Sequence, residues 1–300
     1  MNNFEYEPLV SVIIPTYGEP TNLRTSVTSV LDQNYSEIEI IVVDDNNPDT
    51  EARLKTEKIM SEYFNDIDNV TYLKHSINKN GSAARNTGFK HSKGEYICFL
   101  DDDDYFLKGK LSTQVNFLNK NPEYDAVYCG YRVNGKEYYQ SFQGQLSKEL
   151  LLLEYEPVTS SLMFRREAIS AINGFDESFI RHQDYELMLR FFENHRVSFV
   201  EGIYIDKGRT DDSNIVRGLK LEELKEYFLE TFDEQINILE NKNPGIKKRI
   251  YSKHYSYVFL THMNHGYYKR GIKIFFKYFF MFPIIFSKDI IKRIIDYIKK

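Results

Sequence analysis

Cys98-Phe99-Leu100-Asp101-Asp102-Asp103-Asp104-Tyr105 sets an apolar, strand-like run directly against four consecutive carboxylates. Adjacent negative charges repel one another and cost stability unless water or a cation compensates them. Placed immediately behind a buried strand, such a cluster points to a divalent metal and, through it, a phosphate. Two earlier turns follow the same plan. The β-branched run 10–15 leads into Thr16-Tyr17-Gly18-Glu19, and the apolar run 38–43 leads into Asp44-Asp45-Asn46-Asn47-Pro48.

Helical patterns separate these runs. Leu23, Val27, Val30 and Leu31 recur at helical spacing behind a Thr21 cap, and a helix is expected over 50–64. A strand at 70–73, a helix at 82–91 and a strand at 96–100 complete the repetition. The order implies an α/β fold with a Rossmann-like, mainly parallel sheet flanked by helices, its ligands at the carboxyl ends of the strands. Beyond Leu111 the pattern predicts a helix to about Asn119, a strand over 126–133, a hairpin at Asn134-Gly135, a strand over 160–164 and a helix over 184–193. From Leu219 onward the chain reads as a helical C-terminal extension. The expected organisation is a domain over 1–215 in two halves, 1–110 and 111–215, then a helical region over 216–300.

The composition narrows the class of function. The chain has 300 residues, with 23 Tyr, 22 Phe and no Trp, and its two cysteines are too few for a disulfide scaffold. Its formal net charge of −5 hides an asymmetry: residues 267–300 carry nine Lys or Arg against Asp289 and Asp296, a net +7 that leaves −12 for the rest. An acidic body argues against nucleic acid, while a basic aromatic tail suits an anionic membrane surface. No basic region followed by an apolar core opens the sequence, so no signal peptide is expected. The longest uncharged apolar run, 278–286, contains Pro283 and is far short of the roughly 20 residues of a membrane span.

A nucleotide needs an apolar or aromatic surface for its base, carboxylates or amides for base and ribose, and a metal for its diphosphate. The three strand ends offer these in that order. Between them, Asn80-Gly81-Ser82-Ala83-Ala84-Arg85-Asn86 starts a helix with small residues for close approach and Arg85 as a charge partner. Together these stretches, with Gly94-Glu95-Tyr96, Gly174-Phe175-Asp176-Glu177 and His182-Gln183-Asp184-Tyr185-Glu186, resemble the family 2 glycosyltransferases, inverting enzymes of the GT-A fold. The resemblance covers roughly the first 210 residues.

That resemblance implies roles. Pro15, Thr16, Tyr17, Glu19, Asp45, Gly81, Arg85 and Asp102 fall on the donor-binding side, with Asp45 near the uracil and Asp102 near the ribose or sugar. Asp101-Asp102-Asp103 is similar to the family's Asp-X-Asp motif, making Asp101 and Asp103 the expected ligands of Mn2+ or Mg2+; Asp104 has no assigned role. Asp184 matches the catalytic position, the general base that takes the acceptor hydroxyl's proton in a single displacement with inversion. Gln183 stands where the family usually has Glu. Lys207-Gly208-Arg209-Thr210-Asp211-Asp212-Ser213 is similar to the loop that closes over the donor diphosphate, and a plain surface loop is the competing reading.

The expected partners are a UDP-sugar and a glycan or lipid-linked glycan acceptor of surface polysaccharide synthesis, at the cytoplasmic face of the membrane. Two competitors come from other classes: a sugar nucleotidyltransferase, which should carry a Gly-rich, Arg-containing loop where Pro15-Thr16-Tyr17-Gly18-Glu19 stands, and a non-catalytic scaffold. Three further features stay open. His262 and His265 could pair on a metal or simply pack, and His182 could touch acceptor or phosphate. The tail sets Lys269, Lys273 and Lys277 beside Ile272, Phe275, Phe276, Phe279 and Phe280, then Ile290, Ile291, Ile294, Ile295 and Ile298 edged by Lys292, Arg293 and Lys299, and fits either an anionic membrane or packing on protein, including a homodimer.

Overall fold

A computed structural model describes residues 7–208 and 216–298, which divide into two units: 7–147 with 156–208, and 148–155 with 216–298. In the first unit the expected alternation is present: β1 (Val10–Thr16), α1 (Leu23–Leu31), β2 (Ile38–Asp44), α2 (Glu51–Tyr63), β3 (Val70–Lys74), α3 (Gly81–His91) and β4 (Tyr96–Phe99). β1 pairs in parallel with both β2 and β4, and β2 with β3. Val12, Ile13, Ile14, Ile40, Val42 and Val43 are fully buried, as central parallel strands covered on both faces require. Helix α3 lies close against β1 because Gly88 has no side chain; a Cβ there would sit 2.4 Å from Ile13 Cγ2.

The register matters for function. Thr16 pairs with Asp44 and Ile13 with Phe99, so the turns after β1, β2 and β4 emerge along one edge.

The second half of this unit adds β5 (Tyr105–Phe106), α4 (Lys110–Lys120), β6 (Ala126–Val133), β7 (Lys136–Tyr138), β8 (Met163–Arg165), α6 (Arg166–Ala171), α7 (Gln183–Phe191) and β9 (Val197–Lys207), while α5 (Ser147–Leu151) leads from it into the second unit. Among the described residues one sheet forms in the order β3-β2-β1-β4-β8-β6-β9-β5, with β7 on β6 through the expected Asn134-Gly135 turn, where both residues have positive φ. Sequence patterning missed β9. Glu201-Gly202 breaks its alternation, and its pairing with β6 carries irregular register around Gly130. Two further expectations are corrected. The strand over 160–164 is a 3-10 turn at Thr159–Ser161 followed by β8, and Asn22, not Thr21, precedes α1, without a side-chain cap.

The second unit contains α8 (Leu219–Thr231), α9 (Asp233–Lys242), α10 (Ile246–Asn264), α11 (Tyr268–Met281) and α12 (Pro283–Ile298). α11 and α12 pack on α10 through Tyr278, Phe286 and Ile274, with the Tyr255 and Tyr278 rings stacked 4.0 Å apart. His254 of α10 is fully buried and donates from Nε2 to the Leu151 carbonyl at 3.0 Å, which ties 148–155 to this unit. His262 and His265 each have a partner within the protein. His262 is buried against Glu222, 3.0 Å away, and His265 bonds the Thr261 carbonyl. Among the described residues no helix is long and apolar enough to cross a membrane.

Candidate active site

The turn after β2 is a closed network. Asp44 accepts from the Asn46 backbone and side chain at 2.9 Å and from the Tyr72 hydroxyl at 2.6 Å, and pairs with Arg53 at 3.0 Å. Asp45 is 2% exposed and accepts four hydrogen bonds: His75 Nδ1 (2.7 Å) and Lys79 N (2.8 Å) on one oxygen, Asn78 Nδ2 (2.7 Å) and Asn80 N (2.9 Å) on the other. A carboxylate has about four acceptor positions. Asp45 therefore holds the segment 75–80 in place and so sets the start of α3, where the Asn80 side chain caps Ala83 N at 3.2 Å. Asn46 in turn accepts from Gly18 N at 2.8 Å and joins this turn to the one after β1.

The turn after β4 is built differently. Asp102 accepts from Thr16 Oγ1 at 2.5 Å, and its backbone carbonyl accepts from Ser26 Oγ at 2.7 Å. Asp104 is 1% exposed and accepts from Ser160 Oγ at 2.6 Å and Gly208 N at 3.1 Å, with Lys207 Nζ at 3.9 Å. It fastens the acidic turn to the end of β9. Asp101 pairs with Arg85 Nη2 at 2.6 Å through one oxygen only. Asp103 is exposed and borders a cavity of about 730 Å³, lined also by Asn22, Tyr105, Arg132, Asp206 and Lys207.

The charges in this turn are incompletely compensated. Burial, then the neighbouring carboxylates, pushes Asp102 up to about 7. Burial also lifts Asp104 to about 7 against the pull of Lys207, and raises Asp103 with help from Asp101. Burial would raise Asp101 as well, but Arg85 and Lys207 outweigh it and hold that carboxyl below its ordinary value. Lys207 is itself held protonated: burial opposes its charge, and Asp104, Asp101, Asp103 and Asp184 overcome it.

Asp184 lies in the first turn of α7, two residues past His182, which takes the left-handed conformation at φ 59°. It is not the cap of the helix. Burial pushes its carboxyl up to about 6, opposed by the Tyr185 N–H at 3.0 Å and by Arg85, with Asp101 adding to the rise. Arg85 links the two groups: Nη2 holds Asp101 and Nη1 donates to Gln183 Oε1 at 2.9 Å. Gly81 makes room for this link, since a Cβ there would meet Arg85 Nη1 at 3.1 Å.

The structure thus brings Thr16, Gly81, Arg85, Asp101, Asp102, Asp103 and Asp184 together with Lys207. Tyr17 is exposed and Pro15 half-buried on the adjoining turn. Glu19 is taken by Lys55 in an exposed pair at 2.9 Å, away from this network. Asp45, expected beside a base, has both oxygens engaged within the protein. The segment 209–213 of the expected closing loop lies outside the described residues. Ser160 escaped the sequence reading because a lone serine 56 residues from Asp104 carries no local signal.

Carboxylate oxygens fit a hard divalent cation, and Mg2+ sites of this kind commonly take one or two carboxylates plus substrate phosphate. Among the described residues no three His, Cys, Asp or Glu side chains form a metal cage. Asp101 and Asp103 suit that incomplete pattern.

Comparisons with known proteins identify the family and the fold. A family model described as glycosyl transferase family 2 matches residues 11–185. An uncharacterized glycosyltransferase of Rickettsia typhi is 34% identical over 238 residues, covering 76% of this chain and 71% of that protein. The Escherichia coli UDP-Glc:alpha-D-GlcNAc-diphosphoundecaprenol beta-1,3-glucosyltransferase WfgD is 29% identical over 221 residues, covering 72% and 83%. Among solved structures, S. aureus TarS 1-349 in complex with UDP-GlcNAc superposes with a TM-score of 0.67 at 21% identity, over 85% of this chain and 74% of that one. The expected fold, a mainly parallel GT-A-type sheet flanked by helices with helices at the C-terminus, is the fold observed.

Proposed function

This chain belongs to glycosyl transferase family 2, and from that premise we propose that it moves a hexose or N-acetylhexosamine from a UDP-sugar to a hydroxyl of a glycan acceptor, with inversion. The observation that carries the reading is the junction at Arg85. One guanidinium holds Asp101, the start of the acidic turn, beside the first turn of α7, which bears Asp184. Charge-accepting and proton-accepting groups are thereby fixed within one site.

In this reading Thr16, Tyr17 and Pro15 lie on the nucleotide side, with Asp45 ordering the loop beneath them. Asp102, held by Thr16, faces ribose or sugar. Asp101 and Asp103 hold Mn2+ or Mg2+, which when bound neutralises charge on the departing diphosphate. Lys207 supplies a second, fixed positive charge at that end. Asp184, poised at about 6, is mostly ionised near neutral pH yet basic enough to accept the acceptor hydroxyl's proton as the new bond forms. The activity that WfgD is named for, transfer from UDP-Glc to a diphosphoundecaprenol-linked sugar, supports a UDP-sugar donor and a lipid-linked acceptor here as well.

The experiment is a panel of UDP-sugars tested by thermal shift with and without Mn2+, followed by UDP release from whichever sugar binds. Stabilisation by one or a few UDP-sugars with slow, Asp184-dependent UDP release is expected. A chain that no UDP-sugar stabilises, or whose UDP release is unchanged in Asp184→Asn, would overturn the proposal.

A further inference from the structure

The second unit carries a surface that the glycosyl-transfer reading does not use. α11 presents Tyr268, Ile272, Phe276 and Phe280 at four-residue intervals, all exposed, while Gly271, Ile274 and Tyr278 are buried on the opposite side. Beside that stripe runs a second one, Lys269, Lys273 and Lys277, also exposed. Four-residue spacing keeps each row on one helical face. α12 repeats the design: Ile284, Ile291, Ile295 and Ile298 are exposed, Phe286 and Ile290 are buried, and Lys288 and Lys292 flank the exposed isoleucines.

The acids of this segment do not offset the lysines. Asp289 is 9% exposed and turned inward, bonded to Ser252 Oγ and paired with Lys253 at 3.3 Å. Only Asp296 remains at the surface. Two neighbouring helices thus expose rings and branched aliphatics, Phe280 at 76% and Ile298 at 75%, next to lysines that form no ion pair among the described residues.

From this we propose that the outer faces of α11 and α12 dock the protein on an anionic phospholipid surface, with Phe276, Phe280 and Ile284 entering the acyl boundary and the lysines meeting the headgroups. An apolar stripe bordered by basic residues is what a helix lying in the interface requires. Charge complementarity selects this occupant over a second copy of the chain: two such faces brought together would set lysine rows against each other, whereas an anionic leaflet attracts them. The inference does not depend on the donor or on the reaction.

The chain has no tryptophan, so Phe280→Trp supplies a single reporter on an exposed position. The full chain is mixed with vesicles of phosphatidylcholine alone and of phosphatidylcholine with phosphatidylglycerol. Flotation with the anionic vesicles only, and a blue shift of the introduced indole's fluorescence on binding them, are expected. The triple variant Lys269→Gln/Lys273→Gln/Lys277→Gln should partition about a hundredfold more weakly. Phe276→Ser/Phe280→Ser should also release the protein, and both variants should keep the circular dichroism melt of the parent because the altered residues are exposed. No flotation with anionic vesicles, equal flotation of parent and variants, or a concentration-dependent dimer that the variants abolish without any vesicle binding would each overturn the proposal.

Discussion

Two acidic turns leave the same sheet edge, one after β2 and one after β4, and they use their carboxylates in opposite ways. Asp44 and Asp45 are buried, with their oxygens filled by the side chains of Arg53, Tyr72, Asn46, His75 and Asn78 and by three backbone N–H groups. Asp103 is exposed at a cavity, and Asp101 gives only one oxygen to Arg85. A carboxylate whose acceptor positions are satisfied internally stabilises the fold, and one left uncompensated is available to a ligand. The same residue type at the same edge is thus saturated within the fold in one turn and left open in the other.

The sharpest way to break that contrast is a pair of alanine substitutions. Asp45→Ala strands four donors and should destabilise the protein by about 3–5 kcal/mol in urea unfolding. Asp103→Ala should change stability by less than about 0.5 kcal/mol. Its sugar transfer should nevertheless fall about a thousandfold, because the charge of the diphosphate is no longer met. If Asp103→Ala unfolds while Asp45→Ala does not, the contrast is wrong.

Asp184 tests the chemical side alone. Asp184→Asn should lower kcat by about 10²–10³ with donor affinity retained. In the parent, the rate should decline as pH falls through about 6, since only the ionised carboxylate accepts a proton. A profile flat across that range would remove Asp184 as the base.

Asp104 lies between the two types, buried yet part of the acidic turn. Asp104→Asn weakens its grip on Ser160 and Gly208, which should cost about 1 kcal/mol and roughly tenfold in kcat. Wild-type turnover in that variant would show that the anchoring of β9's end is unimportant.

The smallest effect is a pH-dependent shift in melting temperature. The folded-state values of Asp102 and Asp104, about 7, lie above the roughly 3.9 of an unfolded Asp, so the folded chain binds more protons between those limits. Their contribution to stability is therefore lost as pH rises through about 7. Mn2+ held at this turn relieves the same repulsion, and its stabilisation should be larger by a few degrees at about pH 8 than at about pH 5. An equal or opposite difference would separate the metal from this cluster.

The parallel half of the fold was legible in the sequence because each strand and helix there has a strong local pattern: Val10 to Ile14 is apolar but for Ser11, and α1 repeats Leu23, Val27 and Val30. β9 was not, because Gly202 and Glu201 interrupt its pattern and its pairing with β6 slips register. The 3-10 turn at Ser160 was read as strand because apolar residues follow it, while the bond from its hydroxyl to Asp104 is invisible to any window of neighbours. In the helical unit the sequence showed lysines and aromatics together, and packing on α10 decided which of them face outward.

By itself, then, the sequence determined the order of strands and helices in the parallel half, the edge on which the polar turns emerge, and the identities of Asp101, Asp103 and Asp184 as candidates. Those follow from backbone periodicity and short motifs, which act over a few residues. Only the tertiary structure decided which carboxylates are occupied and which are left open. Their partners lie far along the chain, Lys79 for Asp45, Gln183 for Arg85, Gly208 for Asp104, and a hydrogen bond forms by proximity in space whatever the separation in sequence.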